Sequence, residues 1–146
     1  MPPISRRHML GTAAALLAGG LAACGGSGDD ATPPRTTLLV YLLGSNLESM
    51  GNAGTTNLLE MLAAQGSAYT RVIITTGGAD KRDPGGLVSS WKTVKRFELA
   101  NGALKELADL GARDMDSSDT LQDFLIWGVR TYPAERTMLA LWDHGS

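Results

Sequence analysis

The sequence predicts an α/β domain with a mostly parallel sheet flanked by helices. Apolar runs of strand length alternate along the chain with stretches whose apolar residues recur at helical spacing. The runs at residues 37–43 and 137–142 are apolar on both faces, which is typical of central parallel strands. A chain of 146 residues with 43% hydrophobic and 19% charged residues has the composition of one folded domain.

The first 23 residues are predicted to be an export signal. Arg6 and Arg7 precede an apolar stretch at residues 9–23, which has the length of a signal-peptide core and is shorter than a membrane span. The segment around the two arginines is typical of a twin-arginine signal. Residues 21–24 resemble a bacterial lipobox, in which Cys24 would receive the lipid and become the N-terminus after cleavage. A plain secretory signal with an incidental cysteine is the alternative.

Residues 24–36 are predicted to be a flexible tether, because glycine and serine fill positions 25–28 and two prolines follow at 33–34. A lipid on Cys24 would attach the protein to a membrane of the bacterial cell envelope. Gly25 follows Cys24 where an aspartate would signal inner-membrane retention, so the outer membrane is preferred.

The elements of the predicted domain follow the first strand in an alternating order. Residues 44–46 break that strand with a turn. The remaining predicted elements are a helix at 55–64, a strand at 71–76, a polar loop at 79–86, a strand or hairpin at 87–99, a polar connection through 111–118, a helix and the strand at 137–142. Within the strand or hairpin, the charged run at 92–96 is predicted to be a solvent-exposed strand face.

The last helix has the clearest pattern. Asp119 is predicted to cap its first turn, with Gln122 three residues later completing a capping box. Pro133 ends it. One predicted apolar face contains Leu121, Phe124, Leu125, Val129 and Tyr132.

The candidate chemistry lies directly after the strand at 137–142. Ligands of open α/β sheets bind beyond the carboxyl ends of the strands, and His144 follows such an end. An imidazole can accept and return a proton near neutral pH. The backbone N–H of Gly145 could approach an oxyanion closely, because glycine has no side chain. Asp143 is predicted to cap the loop rather than orient His144, since adjacent extended residues face opposite sides. A turn histidine after an edge strand is the alternative from placement alone.

Composition argues against several other classes of protein. One cysteine excludes a disulfide framework and a multi-cysteine zinc site, and a net charge of −2 gives no basic surface for nucleic acid. No cofactor is predicted. Asp114, Asp116 and Asp119 could bind calcium, but their spacing is not that of an EF-hand loop, so capping and solvation are preferred.

Residues 116–145 resemble the corresponding region of the clostripain family of cysteine peptidases. Residues 40–41 followed by Asn46-Leu47-Glu48 also resemble the opening strand and turn of that family. The matching points in the later region are Thr120-Leu121, Phe124, Trp127, Tyr132-Pro133-Ala134 and Leu141-Trp142-Asp143-His144-Gly145.

The resemblance implies a caspase-like fold and a histidine–cysteine dyad that cleaves peptide bonds, often after a basic residue. It assigns His144 as general base and acid, and Gly145 as an oxyanion donor. The family's cysteine lies downstream of its histidine, whereas the one cysteine here is Cys24, which a lipid would make unreactive.

We therefore expect residues 37–146 to be the N-terminal part of a clostripain-like domain, incomplete at its C-terminus. The expected function is a lipid-anchored, exported cysteine endopeptidase acting on peptides or proteins, with its nucleophile missing from these residues. One alternative is a truncated, catalytically inactive lipoprotein that is a binding module or has no activity. A lipoprotein adhesin or sugar binder, suggested only by the anchor and three tryptophans, is another.

Overall fold

The computed structural model describes residues 34–64 and 66–144. They form a sheet and helices that confirm the α/β class. The predicted signal peptide, the lipobox and nearly all of the tether lie outside the described residues. Among the described residues, no helix is long and apolar enough to cross a membrane. In chain order the elements are β1 (Thr36–Leu43), α1 (Ser45–Gly51), α2 (Ala53–Ala63), β2 (Thr70–Gly77), β3 (Lys95–Ala100), β4 (Ala103–Asp109), α3 (Ser118–Thr131) and β5 (Arg136–Trp142).

The sheet is mixed, with the strand order β4-β3-β2-β1-β5. β1 pairs in parallel with β2 and β5, whereas β3 pairs antiparallel with β2 and β4. β5 was expected to be a central strand, but it lies at the edge of the described sheet. Met138 and Leu141 are 58% and 65% exposed there, because β1 is their one neighbouring strand among the described residues.

β1 is buried on both faces, which explains its continuous apolar sequence. Leu39 and Tyr41 face α3 and pack in one cluster with Phe124. Leu42 faces the opposite side and packs with Leu58 of α2. The sheet therefore lies between α2 and α3, with a hydrophobic core on each side.

β3 and β4 form a hairpin, of which only a part was predicted from the sequence. The turn consists of Asn101 and Gly102, whose φ angles are 52° and 70°. Two consecutive residues with positive φ are the requirement of a type I′ hairpin turn, and Asn-Gly is its preferred sequence. Residues 87–94, expected to be strand, lie outside the strands instead. They nevertheless contribute to the core, since Trp91 is fully buried.

The N-cap of α3 is Ser117, which corrects the predicted capping by Asp119. The Ser117 side chain accepts a hydrogen bond from the backbone N–H of Asp119 at 3.2 Å. Phe124 and Gly128 are buried on the sheet side of the helix. Val129, predicted to lie on that face, is 49% exposed because the sheet contacts a face centred on its neighbour Gly128.

Two charges of the run at 92–96 are buried, so its prediction as a solvent-exposed face is wrong. Lys95 and Arg96 are 5% and 6% exposed. Lys95 Nζ lies within 3.0 Å of carboxylate oxygens on Glu106 and Asp109. The Arg96 guanidinium lies 4.1 Å from the ring centre of Trp127 and forms an ion pair with α3. These partners compensate the removal of both charges from water.

Tyr41 provides a pH-dependent contribution to the stability of the fold. Its hydroxyl donates a hydrogen bond to the carbonyl oxygen of Met115 at 2.8 Å. Burial, together with the negative charges of Asp114 and Asp116, raises the pKa of Tyr41 from 10.0 to about 12. Because the folded-state pKa exceeds the unfolded one, this stability is fully present below the unfolded pKa. It is lost as the pH rises through the folded pKa.

Tyr41→Phe is therefore expected to cost about 1 kcal/mol near neutral pH, where it removes one buried hydrogen bond. The variant should also lose less stability than the wild type between neutral pH and about pH 11. Urea unfolding at both pH values measures the two effects. Tyr69→Phe is the control, because Tyr69 is 55% exposed. Equal losses in Tyr41→Phe and the wild type would contradict the assignment.

Candidate functional site

The candidate site lies where the carboxyl ends of β1 and β5 meet. The parallel register pairs Leu42 with Trp142, so the residues that follow each strand come together although they are distant in sequence. His144 Nε2 lies 2.5 Å from Asn46 Oδ1, and these residues are 98 positions apart in the chain. The same nitrogen lies 3.4 Å from Ser45 Oγ. His144 and Asn46 are both exposed, so a substrate can reach the imidazole.

Asp143 also connects the two strand ends, through a hydrogen bond with Ser45. The Ser45 hydroxyl donates to Asp143 Oδ1 at 3.4 Å. Among the described residues, the hydrogen bonds of the His144 ring are to Asn46 and Ser45 and not to Asp143. This arrangement is that of a loop-bridging carboxylate.

The turn between β1 and α1 has a tightly specified backbone. Gly44 is buried, and a Cβ there would lie 2.8 Å from Trp91 Cε3 and 2.9 Å from the carbonyl oxygen of Gly77. Ser45 has a φ of 43°, in the left-handed region that non-glycine residues seldom adopt. Backbone strain of this kind often accompanies functional sites. Here it places the Ser45 hydroxyl beside Asp143 and His144.

α1 is fixed from below by a buried carboxylate. The Glu48 side chain is fully buried and accepts hydrogen bonds from the Thr55 backbone N–H at 2.8 Å and the Thr55 hydroxyl at 2.7 Å. It also forms an ion pair with Lys81. Lys81 in turn donates to Asn52 Oδ1 at 2.6 Å. These bonds connect α1 with α2 and with the loop after β2. They thereby fix the position of α1, the helix that contains Asn46.

Of the site residues predicted from sequence, the structure describes His144. Gly145, Cys24, Arg6 and Arg7 lie outside the described residues, so their predicted roles stay predictions. Ser45 and Asn46 were not predicted as partners of His144. The signal that could have found them is the expected parallel packing of the first and last strands, whose carboxyl ends share one edge.

The acidic cluster around Asp114 is organised by local hydrogen bonds. Asp114 Oδ1 accepts a hydrogen bond from the backbone N–H of Asp116 at 2.9 Å, and its carbonyl oxygen accepts one from the Thr120 hydroxyl at 2.6 Å. Within residues 34–64 and 66–144, no group of three or more His, Cys, Asp or Glu residues is arranged to hold a metal ion.

An apolar groove of about 930 Å³ crosses the α2 side of the sheet. Leu38, Val72, Leu99 and Trp142 line it, whereas His144 and Asn46 do not. The groove is therefore separate from the candidate chemistry at the strand ends.

No protein-family model and no curated protein matches this chain. Among solved structures, it is similar to a B. fragilis cysteine protease with 13% identity and a TM-score of 0.55, over 77% of this chain and 90% of that chain. A clostripain from Bacteroides thetaiotaomicron in complex with a peptide inhibitor has 22% identity and a TM-score of 0.56, over 78% and 93%.

A secreted C11 cysteine protease from Bacteroides thetaiotaomicron, in complex with an irreversible peptide inhibitor, is also similar in structure. It has 14% identity and a TM-score of 0.57, over 77% of this chain and 30% of that chain. The chain thus spans about a third of that protein. At these identities the likeness establishes the fold, which is the caspase-like α/β fold of C11 cysteine proteases.

Proposed function

We propose that this chain is the N-terminal part of a clostripain-type cysteine endopeptidase, with His144 as its general base and acid. The observation on which this rests is the position of His144. It lies exposed at the carboxyl end of β5, next to the end of β1, in the fold of C11 cysteine proteases. Strand ends at this edge are where α/β sheets place reacting groups.

In the proposed reaction, His144 takes the proton of a cysteine thiol, and the thiolate sulfur attacks the peptide carbonyl carbon. The C–N bond then breaks, and the imidazolium returns the proton to the leaving amine nitrogen. Water, deprotonated by His144, attacks the thioester, and the departing sulfur is protonated again. The backbone N–H of Gly145 is proposed to donate to the oxyanion in both steps.

The nucleophile in this proposal is not Cys24, the one cysteine among the 146 residues, because its sulfur would be a lipid thioether. A cysteine on a strand paired with the open edge of β5 is the arrangement that fits the fold. Met138 and Leu141 are exposed on that strand, and a neighbouring strand with its own connections would cover such apolar side chains.

The proposed substrate is a peptide with a basic residue before the cleaved bond. One similar structure, the clostripain, is in complex with the peptide inhibitor BTN-VLTK-AOMK, whose peptide sequence ends in lysine. We transfer this preference from that structure to this chain, and peptides that differ at this position test it.

The proposed location is the bacterial cell envelope, preferentially the outer membrane, with a lipid on Cys24 as the anchor. Arg6 and Arg7 before an apolar stretch, and the lipobox at residues 21–24, support export and lipidation. The glycine-rich tether would separate the domain from the membrane surface.

Cell fractionation with a peptidase assay tests activity and anchoring together. Full-length protein, expressed in a bacterium, is expected to hydrolyse peptides with lysine or arginine before the cleaved bond faster than matched peptides with alanine. The activity should lie in the membrane fraction. Cys24→Ser should no longer incorporate radiolabelled fatty acid, because the thiol that accepts the lipid is gone.

The three parts of the proposal, which are peptidase activity, lipid anchoring and the preference for basic residues, can fail separately in this experiment. Absence of peptide hydrolysis by the full-length protein would contradict a peptidase and favour the inactive lipoprotein. Absence of labelled fatty acid from the wild type, or equal labelling of Cys24→Ser, would contradict lipid anchoring. Equal rates for lysine and alanine peptides would remove the proposed preference for basic residues.

A further inference from the structure

We infer that Asn46 is a positioning residue for His144, and that the reacting nitrogen of His144 is Nδ1. This inference rests on the proposed function and adds to it the group that orients the general base. The reaction proposed above for a histidine–cysteine dyad does not require a third residue that orients the histidine. The structure supplies one 98 positions upstream of the histidine.

The evidence begins with the hydrogen bond between the two side chains. His144 Nε2 lies 2.5 Å from Asn46 Oδ1. An amide oxygen only accepts, so the ring nitrogen is the donor. A neutral imidazole has one N–H and one unprotonated nitrogen. With Nε2–H donated to Asn46, the unprotonated nitrogen is Nδ1, and Nδ1 is the base.

Ser45 is a secondary contact by comparison. Its hydroxyl is 3.4 Å from His144 Nε2 and 3.5 Å from Asn46 Oδ1. Both separations are at the long end of hydrogen bonding, where the interaction is weak. The orientation of the ring is therefore assigned to Asn46.

A positioning residue must itself be held in place. Asn46 lies in the first turn of α1, and the helix is fixed by the fully buried Glu48 two residues later. The turn before it is fixed by the Gly44 backbone N–H, which donates to the carbonyl oxygen of Gly77 at 2.8 Å. The amide oxygen is thus placed by core contacts, although the Asn46 side chain is exposed.

This geometry defines the proton transfers. Nδ1 receives the thiol proton, and the positive imidazolium that results has N–H groups on both nitrogens. Asn46 Oδ1 stabilises that charge by accepting from Nε2–H throughout. Nδ1 then gives its proton to the leaving amine, and the ring returns to the starting tautomer.

The test uses full-length protein labelled with 15N-histidine, and it compares Asn46→Ala with Asn57→Ala. Asn57 is the matched control, because its side chain donates to the Ala53 carbonyl oxygen within α2 and does not contact His144. The His144 resonances are identified by their loss in His144→Ala. Near neutral pH, the wild type and Asn57→Ala are expected to show Nε2–H, whereas Asn46→Ala should show a mixture of tautomers.

Asn46→Ala should also lower kcat by about 10- to 100-fold with little change in KM, by analogy with the loss that follows removal of a partner orienting a metal-ligating histidine. Asn46→Asp retains an acceptor oxygen and should restore the Nε2–H tautomer. Its added negative charge favours the imidazolium, so the acid limb of its pH–rate profile should move to higher pH. A purely structural role for Asn46 would lower the stability of Asn46→Ala but leave the tautomer of His144 unchanged.

Two results would overturn the inference: Nδ1–H as the tautomer of the wild type, or unchanged tautomer and kcat in Asn46→Ala. Its failure can be distinguished from that of the proposed function. If His144→Ala is inactive while Asn46→Ala behaves as wild type, only this inference fails. If His144→Ala remains fully active, both fail.

Discussion

Replacing His144 with alanine in the full-length protein is expected to abolish peptide hydrolysis. Removal of a general acid–base group typically lowers the rate by about 10²- to 10⁴-fold. The loss here should lie at the upper end, because this one side chain both activates the nucleophile and protonates the leaving amine. Steady-state hydrolysis of a lysine peptide gives kcat and KM for the variant and the wild type.

The fold should survive this substitution. His144 is exposed, and its described hydrogen bonds are to the Asn46 and Ser45 side chains. We expect the thermal midpoint of His144→Ala to stay close to that of the wild type. His8→Ala is the matched control, since the other histidine lies in the predicted signal peptide. Wild-type activity in His144→Ala would contradict the proposed peptidase.

The elements predicted well from sequence are those whose burial matches their periodicity. β1 is buried on both faces and reads as an unbroken apolar run. α3 presents one face to the sheet, and the apolar residues of that face recur at helical spacing in the sequence. β4 was missed because its sequence, ALKELAD, alternates weakly and most of it is exposed or half-buried. The Asn101–Gly102 turn was the local signal that could have located the hairpin.

The charges of β3 show a second limit of sequence patterns. Lys95 and Arg96 look like surface residues, yet both are buried. Their partners are Glu106 and Asp109 on the next strand and its end, and Asp123 on α3. A burial that depends on distant partners cannot be inferred from the composition of one short run.

Of the two hydrogen-bonded residues of the site, His144 and Asn46, only His144 was predicted from the sequence. His144 follows an apolar strand and matches a family motif, so sequence was enough to select it. Its partner Asn46 lies in a helix of seven residues, α1, which was expected to be a turn. The buried residue of α1 is the charged Glu48, so hydrophobic periodicity does not reveal the helix. Only the parallel pairing of β1 with β5 brings the two halves together.

That buried glutamate leads to the largest stability effect we expect. Lys81→Met would remove the ion-pair partner of Glu48, whose side chain is fully buried. The carboxylate would keep the Thr55 hydrogen bonds but lose its opposite charge. Breaking a buried ion pair by removing one partner typically costs about 3–5 kcal/mol. Urea unfolding should report a loss of that order in the free energy of unfolding.

Lys92→Met is the matched control, because its amine pairs with Asp80, whose side chain is 85% exposed. Exposed pairs contribute at most about 1 kcal/mol, so this variant should remain near wild type. A Lys81→Met loss no larger than that of Lys92→Met would show that the buried pair is unimportant.

A double-mutant cycle separates the charge from the packing. Glu48→Gln keeps most of the side-chain volume and removes the negative charge, so adding it to Lys81→Met should recover part of the lost stability.

The same variants also test an effect on catalysis, since Glu48 fixes the helix that holds Asn46. If Glu48 fixes the position of Asn46 in this way, Lys81→Met should lower kcat at a temperature where the protein is still fully folded. Lys92→Met should leave kcat unchanged. An unchanged kcat in folded Lys81→Met would mean that the turn at Gly44 and Ser45 places Asn46 without help from the buried pair.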